Sequence, residues 1–192
     1  MDTILELLKR LGVLTQAENR QIAGLEGLQP VHLDVLRYLT RCNRYSNTPA
    51  AVGQYLNTTK GTVSQSINVL EREKLISKYP DANDGRVVRL RLLKKGLRLL
   101  DRPAHKSSIV AAISDLGKKE QDGLEKGLAE LLRRAQRRND SKSFGICHTC
   151  RFFHTLGKSE FQCGITQERL TREDSHLICV EHEVQQTAWN RE

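Results

Sequence analysis

Between residues 75 and 92 the sequence dictates a reversal of the chain. Leu75-Ile76-Ser77-Lys78-Tyr79 and Arg86-Val87-Val88-Arg89-Leu90-Arg91-Leu92 are short alternating or β-branched runs, and Pro80-Asp81-Ala82-Asn83-Asp84-Gly85 lies between them. That cluster continues neither helix nor strand: proline lacks a donor, Asn and Asp bond their own backbone, and glycine tolerates tight turns. A β-hairpin is therefore predicted here. What precedes it is helical. Pro30 begins a segment with Leu33, Leu36 and Leu39 on one face, and Thr48-Pro49 gives a capped start for a short helix ending near Leu56. A third helix begins at Thr59 and turns Val63, Ile67 and Leu70 inward.

Three short helices followed by a hairpin describe a winged helix-turn-helix over residues 29–102. Order, lengths and charge placement favour it over a generic small α+β domain. The fold class is mainly α with a small β-wing. With aromatics at only 5% of the chain, its core must be mostly aliphatic. Helices flank this domain on both sides. Ile4, Leu7, Leu8, Leu11 and Leu14 repeat at helical spacing within residues 1–28, and Leu124, Leu128, Leu131 and Leu132 form a stripe within residues 103–140. Residues 29–102 offer too little core to cover both stripes, so pairing between two chains is predicted to bury them. Pro103 predicts a kink after the wing.

The chain has 192 residues, with 31 Lys and Arg against 23 Asp and Glu, a formal charge of +8. From Ser143 onward seven acidic residues outnumber five basic ones, so the first 142 residues carry more than the whole excess. An acidic partner follows, nucleic acid before membrane. No apolar run reaches 18 residues and the N-terminus lacks a signal peptide's pattern, so a cytoplasmic location is expected. Thr58, Thr59, Lys60, Thr62, Ser64 and Gln65 crowd the start of the third helix with hydroxyls, an amide and a cation short enough to reach base edges or phosphates. Gly61 leaves room for close approach, and Thr59 is as well suited to capping as to contact. At the hairpin tip, Arg86 beside Asp84 and Gly85 is placed to enter a minor groove.

Residues 29–102 resemble the winged-helix domain of the MarR family of bacterial transcriptional regulators. The resemblance is carried by Leu33-Asp34-Val35-Leu36-Arg37-Tyr38-Leu39, by Thr62-Val63-Ser64-Gln65-Ser66-Ile67-Asn68-Val69-Leu70-Glu71, by Lys74-Leu75-Ile76, by Asp81-Ala82-Asn83-Asp84-Gly85-Arg86, and by Leu93-Lys94-Lys95-Gly96. It extends loosely into Leu116–Leu132, similar to the family's last dimerisation helix. It implies a homodimer whose terminal helices interlock and whose wings grip a pseudo-palindromic operator in double-stranded DNA. By position it makes Arg86 the wing arginine and Asp84 the acid that orients it. Gln65 stands where the family often has Arg, and Gly85 where another Arg is common.

Residues 143–192 carry a different signal, set off by the polar stretch Arg137–Ser143. Cys147-His148-Thr149-Cys150 is followed by Cys163 and Cys179, with His182 three residues beyond. A CxxC turn lets two thiolates chelate one centre, and four thiolates complete a shell. A short module with few large apolar residues also needs a staple, which a metal supplies. A zinc ion is slightly favoured over an iron–sulfur cluster, and both suit four cysteines. His182, and less so His154, are weaker substitute ligands. Disulfides suit a reducing compartment poorly. Haem attachment of the usual form is excluded because Arg151, not His, follows Cys150. Phe152, Phe153 and Phe161 read as the module's small core, and Cys42 as a packing residue.

Taken together, these features predict a dimeric DNA-binding regulator, not an enzyme, with a metal-stapled C-terminal module. The dimer would occupy its operator to block or recruit RNA polymerase, and an effector would alter the spacing of its recognition helices. Two readings of other classes stand beside it: a thiol redox enzyme using Cys147 and Cys150, and an adaptor docking a protein through the module.

Overall fold

The structure is a computed structural model that describes residues 2–102, 107–138 and 144–184. Helix α1 (Asp2–Leu25) leads into α2 (Pro30–Arg41), α3 (Pro49–Tyr55) and α4 (Lys60–Arg72). Strands β1 (Ile76–Pro80) and β2 (Val88–Leu92) then form the hairpin, and α5 (Lys94–Leu100), α6 (Ser108–Asp115) and α7 (Lys118–Arg138) follow. The cysteine-bearing segment holds a 3-10 turn (Cys147–Thr149), β3 (Phe153–Gly157), β4 (Glu160–Cys163), β5 (Arg169–Leu170) and the single turn α8 (Arg172–Ser175).

Helices α2, α3 and α4 start where the sequence offers a cap. Thr48 accepts the Ala51 amide with Pro49 next in line, and Thr59 accepts the Thr62 amide. Gln29 and His32 bond each other's backbone across the first turn of α2. The hairpin is antiparallel, in register from Ile76 opposite Leu92 to Pro80 opposite Val88. Its second strand starts at Val88, not Arg86, because Val87 is spent closing the turn: Asp81 donates to the Val87 carbonyl and Val87 to the Asp84 carbonyl. Gly96 is required where α5 crosses the hairpin, since a Cβ there would lie 2.6 Å from the Leu75 carbonyl oxygen.

The core is aliphatic, as the low aromatic content demands. Leu33, Val35, Leu36, Val52, Leu70, Leu75 and Leu90 are buried, and Tyr38 is the large aromatic among them, its hydroxyl donating to the Ser46 carbonyl at 2.8 Å. The flanking helices are different. Only the C-terminal part of α1, with Ile22 and Ala23, enters the core; Ile4, Leu7, Leu11, Val13 and Leu14 are exposed. Helices α6 and α7 bury none of their residues, and Leu124, Leu128, Leu131 and Leu132 face outward. Helix α6 was not anticipated as a separate element. Ser107 caps it, and Glu18 of α1 accepts from the Ser107 hydroxyl at 2.7 Å and the Ser108 amide at 3.0 Å. The kink expected at Pro103 and residues 139–143 of the anticipated linker lie outside the described residues.

The cysteine-bearing segment is embedded in the winged helix. Ile178 and Val180 belong to the same buried cluster as Leu36 and Tyr38, with Phe144 and Ile146 packed against it. Ile178 donates to the Arg41 carbonyl at 2.8 Å and accepts from the Asn43 amide at 2.9 Å, while the Val180 amide donates to Ser46 Oγ at 2.8 Å. Truncating a buried isoleucine costs about 2–5 kcal/mol. Ile178→Ala is therefore expected to destabilise the winged helix itself, lowering the urea midpoint of one cooperative transition followed by circular dichroism. A winged-helix midpoint unchanged by the substitution would show that the two parts are energetically independent.

Candidate nucleic-acid interface

Helix α4 presents two faces by simple periodicity. Val63, Ser66, Ile67 and Leu70 are buried, whereas Lys60, Gly61, Ser64, Gln65 and Asn68 lie exposed on the opposite side, one and two turns apart. The hydroxyls at the helix start divide. Thr59 is committed to the cap, accepting the Thr62 amide at 3.2 Å and lying 2.9 Å from the Thr62 hydroxyl. Thr58 is half-buried, while Lys60, Ser64 and Gln65 point into solvent. Between this helix, α3 and the hairpin runs an open groove of about 1020 Å³, lined among others by Lys60, Ser64, Asn68, Lys78 and Arg86. Gln54, Asn57, Asn68 and Lys78 in its wall were not singled out from the sequence. The alternation of β1 was the available signal for Lys78, which bonds Asn68 Oδ1 at 2.7 Å and Glu71 at 2.8 Å.

The hairpin tip is built around two aspartates. Asp84 receives Arg86 through a fork, Nε to Oδ1 and Nη2 to Oδ2, both at 3.0 Å, and also accepts the Arg86 amide. The Arg86 side chain remains 91% exposed. Asp81 accepts the Asn83 amide at 2.9 Å, the Asp84 amide at 3.1 Å and Arg89 Nε at 2.7 Å. The Asn83 amide first, then Arg89, hold its carboxyl below the ordinary aspartate range. Arg89 reaches inward as well, donating through Nη1 to the carbonyls of Arg44 at 2.8 Å and Tyr45 at 3.1 Å.

A helix-turn-helix followed by a braced wing is now defined, and known proteins can be set beside it. The MarR family model matches residues 26–87. That part of the chain is similar to the MarR family. Among solved structures, S. aureus MepR in its DNA-binding conformation is 23% identical and covers 69% of this chain and 98% of its own, with a TM-score of 0.61. Streptococcus pneumoniae FabT in complex with DNA is 27% identical over 71% of this chain and 97% of its own, at 0.55. Rhodococcus jostii CouR bound to p-coumaroyl-CoA is 17% identical over 68% and 92%, at 0.57. A search of curated proteins found no match.

The MarR match ends at residue 87, before the four C-terminal cysteines. Cys147, Cys150, Cys163 and Cys179 all line one small cavity, with Phe152 and Phe153 beside them, and every cysteine is a free thiol. Among the described residues no three His, Cys, Asp or Glu are arranged to hold a single ion. His182 stands apart from that lining: its ring packs on Gly145, and its Nε2 lies 2.9 Å from the Thr149 hydroxyl. His154 packs against Gly164. Phe153 and Phe161 pair at 5.1 Å between ring centres. Burial, then the neighbouring thiols, pushes Cys147 up to about 12. An attacking thiol needs the opposite shift, so the geometry disfavours the thiol-enzyme reading. Burial likewise pushes Cys42 up to about 12, consistent with packing. No helix among the described residues is long and apolar enough to cross a membrane.

Asp81 organises the wing turn from within, which separates local order from global stability. Asp81→Ala is expected to raise amide exchange at Asn83 and Asp84 while leaving the melting temperature nearly unchanged. Because the folded carboxyl titrates below the unfolded one, its contribution is complete above roughly pH 4 and is lost only as pH falls through the folded value. Wild-type wing protection should therefore be flat from pH 5 to 7 by NMR hydrogen exchange. A loss within that range would refute this role.

Proposed function

We propose that this protein is a sequence-specific DNA-binding transcriptional regulator that acts as a homodimer and carries a metal-bound four-cysteine module. The observation that carries the reading is the groove shared by α4 and the wing, where Lys60, Ser64 and Asn68 share the lining with Arg86, and Gln65 is exposed on the same helix. A helix of this width enters a major groove, and the exposed Arg86 extends to the neighbouring minor groove or its phosphates. MepR in its DNA-binding conformation and FabT in complex with DNA are similar in fold, which supports double-stranded DNA as the partner. The positive charge resides in the part of the chain that holds this groove.

The dimer follows from what the fold leaves uncovered. Ile4, Leu7, Leu11 and Leu14 on α1 and Leu124, Leu128 and Leu131 on α7 form apolar stripes, and a second chain covers them at a two-fold axis. Two recognition helices then meet two half-sites of a pseudo-palindromic operator. Occupancy of that operator blocks or recruits RNA polymerase, and an effector acts by changing the separation of the helices.

Selection from a random duplex library by the purified full chain tests the reading, with affinity then measured by fluorescence anisotropy. A pseudo-palindromic site is expected to emerge, bound by a species of twice the chain mass in light scattering. Gln65→Ala should lose roughly 1–3 kcal/mol on that site and little on random duplex, because an amide pairs with a base edge and not with phosphate. Arg86→Ala should weaken both and lower the slope of log K against log salt by about 1. No enriched site, or a monomer at micromolar concentration, would overturn the respective half of the proposal.

A further inference from the structure

Four thiols from three separate stretches of sequence surround one cavity. Cys147 and Cys150 come from the 3-10 turn and its end, Cys163 from the end of β4, and Cys179 from the segment that docks on residues 41–46. The enclosed space is about 40 Å³, and the rest of its lining is mainly apolar or aromatic, with Tyr45, Phe152, Phe153 and Ile165. A tetrathiolate zinc site has Zn–S bonds of about 2.3 Å, which sets the sulfurs roughly 3.8 Å apart and leaves no interior volume. That convergence is not the arrangement here, since no three ligand-type side chains of the described residues would hold a single ion. The space also exceeds the ~10–15 Å³ that one water needs. Thiols around a volume suit a polynuclear centre, in which iron and sulfide fill the interior and each cysteine ligates from outside.

We propose that Cys147, Cys150, Cys163 and Cys179 hold an iron–sulfur cluster, and that the cluster clamps this module onto the loop supporting the wing. Two of the sulfurs already accept hydrogen bonds. The Glu183 amide donates to Cys150 Sγ at 3.4 Å, and Cys179 receives the Glu181 amide and the Asn43 side chain. Such N–H···S bonds stabilise a thiolate-bound cluster and tune its potential. On assembly each thiol releases its proton to solvent as its sulfur binds iron, with ferric and ferrous ions and sulfide supplied from outside in the ratio the cluster holds, so that no electron passes to or from the chain. The clamp runs through two adjacent residues. Cys179 follows Ile178, whose amide and carbonyl bond Arg41 and Asn43. Tyr45 lines the cavity, bonds Glu168 of the module through its hydroxyl, and accepts Arg89 at its carbonyl at 3.1 Å. Cluster loss therefore removes an anchor on each side of loop 42–47.

Iron, acid-labile sulfide and zinc are measured on the full chain purified without oxygen and reconstituted with ferric and ferrous iron and sulfide. Expected are equal amounts of iron and sulfide, roughly two or four of each per chain, and a broad visible absorption that bleaches in air. Cys42→Ser should keep the iron, while Cys163→Ser and Cys179→Ser should lose most of it. One zinc without sulfide, or no bound metal after reconstitution, would overturn the cluster on the wild-type chain alone, whatever the folding of the variants. The clamp is read by amide exchange, which needs no DNA and so stands apart from the regulator reading. Stripping the iron with a chelator should speed exchange about tenfold over residues 41–47 and at Leu90. Equal exchange in both forms would overturn the clamp.

Discussion

Arg89 joins the wing to the loop between α2 and α3, more than forty residues before it in sequence. Its guanidinium is largely buried and bonds Asp81 in the wing turn, the carbonyls of Arg44 and Tyr45, and Asn47 Oδ1 at 3.2 Å. Only a planar group with several fixed donors can satisfy four acceptors from three directions, so lysine cannot replace it. Asn47 completes the joint, donating to the Leu90 carbonyl and the Tyr79 hydroxyl at 3.0 Å each. This joint ties the wing to the loop between α2 and α3, beside the contacts that Ile76 and Leu90 make in the core and Lys78 makes with α4.

The same loop receives the cysteine segment from the other side. Cys42 and Ile178 form a short parallel bridge, and Arg44 pairs with Glu168 at 2.6 Å. An aromatic chain of Tyr38, Tyr55 and Phe144, with ring centres 4.6 and 5.5 Å apart, continues the contact. Arg44 and Glu168 are about half exposed, so their pairing contributes little energy and acts mainly to set register. The buried contacts of Ile178 and Val180 carry the stabilisation. A segment that looks like an appendage by composition is thus part of the core that positions the wing.

The two surfaces left over have opposite characters, and this follows from the same constraint. Where helices pack around the Leu33–Leu70–Leu90 core, polar and cationic side chains are turned outward into the groove. Helices α1 and α7 extend past that core, so their leucines find no cover within the chain. A small core of aliphatic residues can bury only what lies within its radius. The proposed division of labour, a polar groove for DNA and apolar stripes for a second subunit, follows from where the core ends.

Much of this was legible in the sequence, and the reasons are local. Proline and threonine caps marked the starts of α2, α3 and α4, because a helix start needs a side-chain acceptor or a residue without a donor. The Pro/Asn/Asp/Gly cluster fixed the hairpin through backbone preferences alone, and the stretch Thr62–Glu71 carried a resemblance that the family model matches over residues 26–87. What could not be read was everything requiring two distant segments to meet. Helix α6 is held by Glu18, ninety residues before it, and Asn68 and Lys78 became groove neighbours only when β1 turned back along α4. The CxxC spacing announced that Cys147 and Cys150 act together, since a tight turn brings them close in any context. That Cys163 and Cys179 join them around a volume, and that Ile178 lies in the winged-helix core, was decided by tertiary packing. Burial depends on which surfaces find each other, and no local pattern in a chain records that.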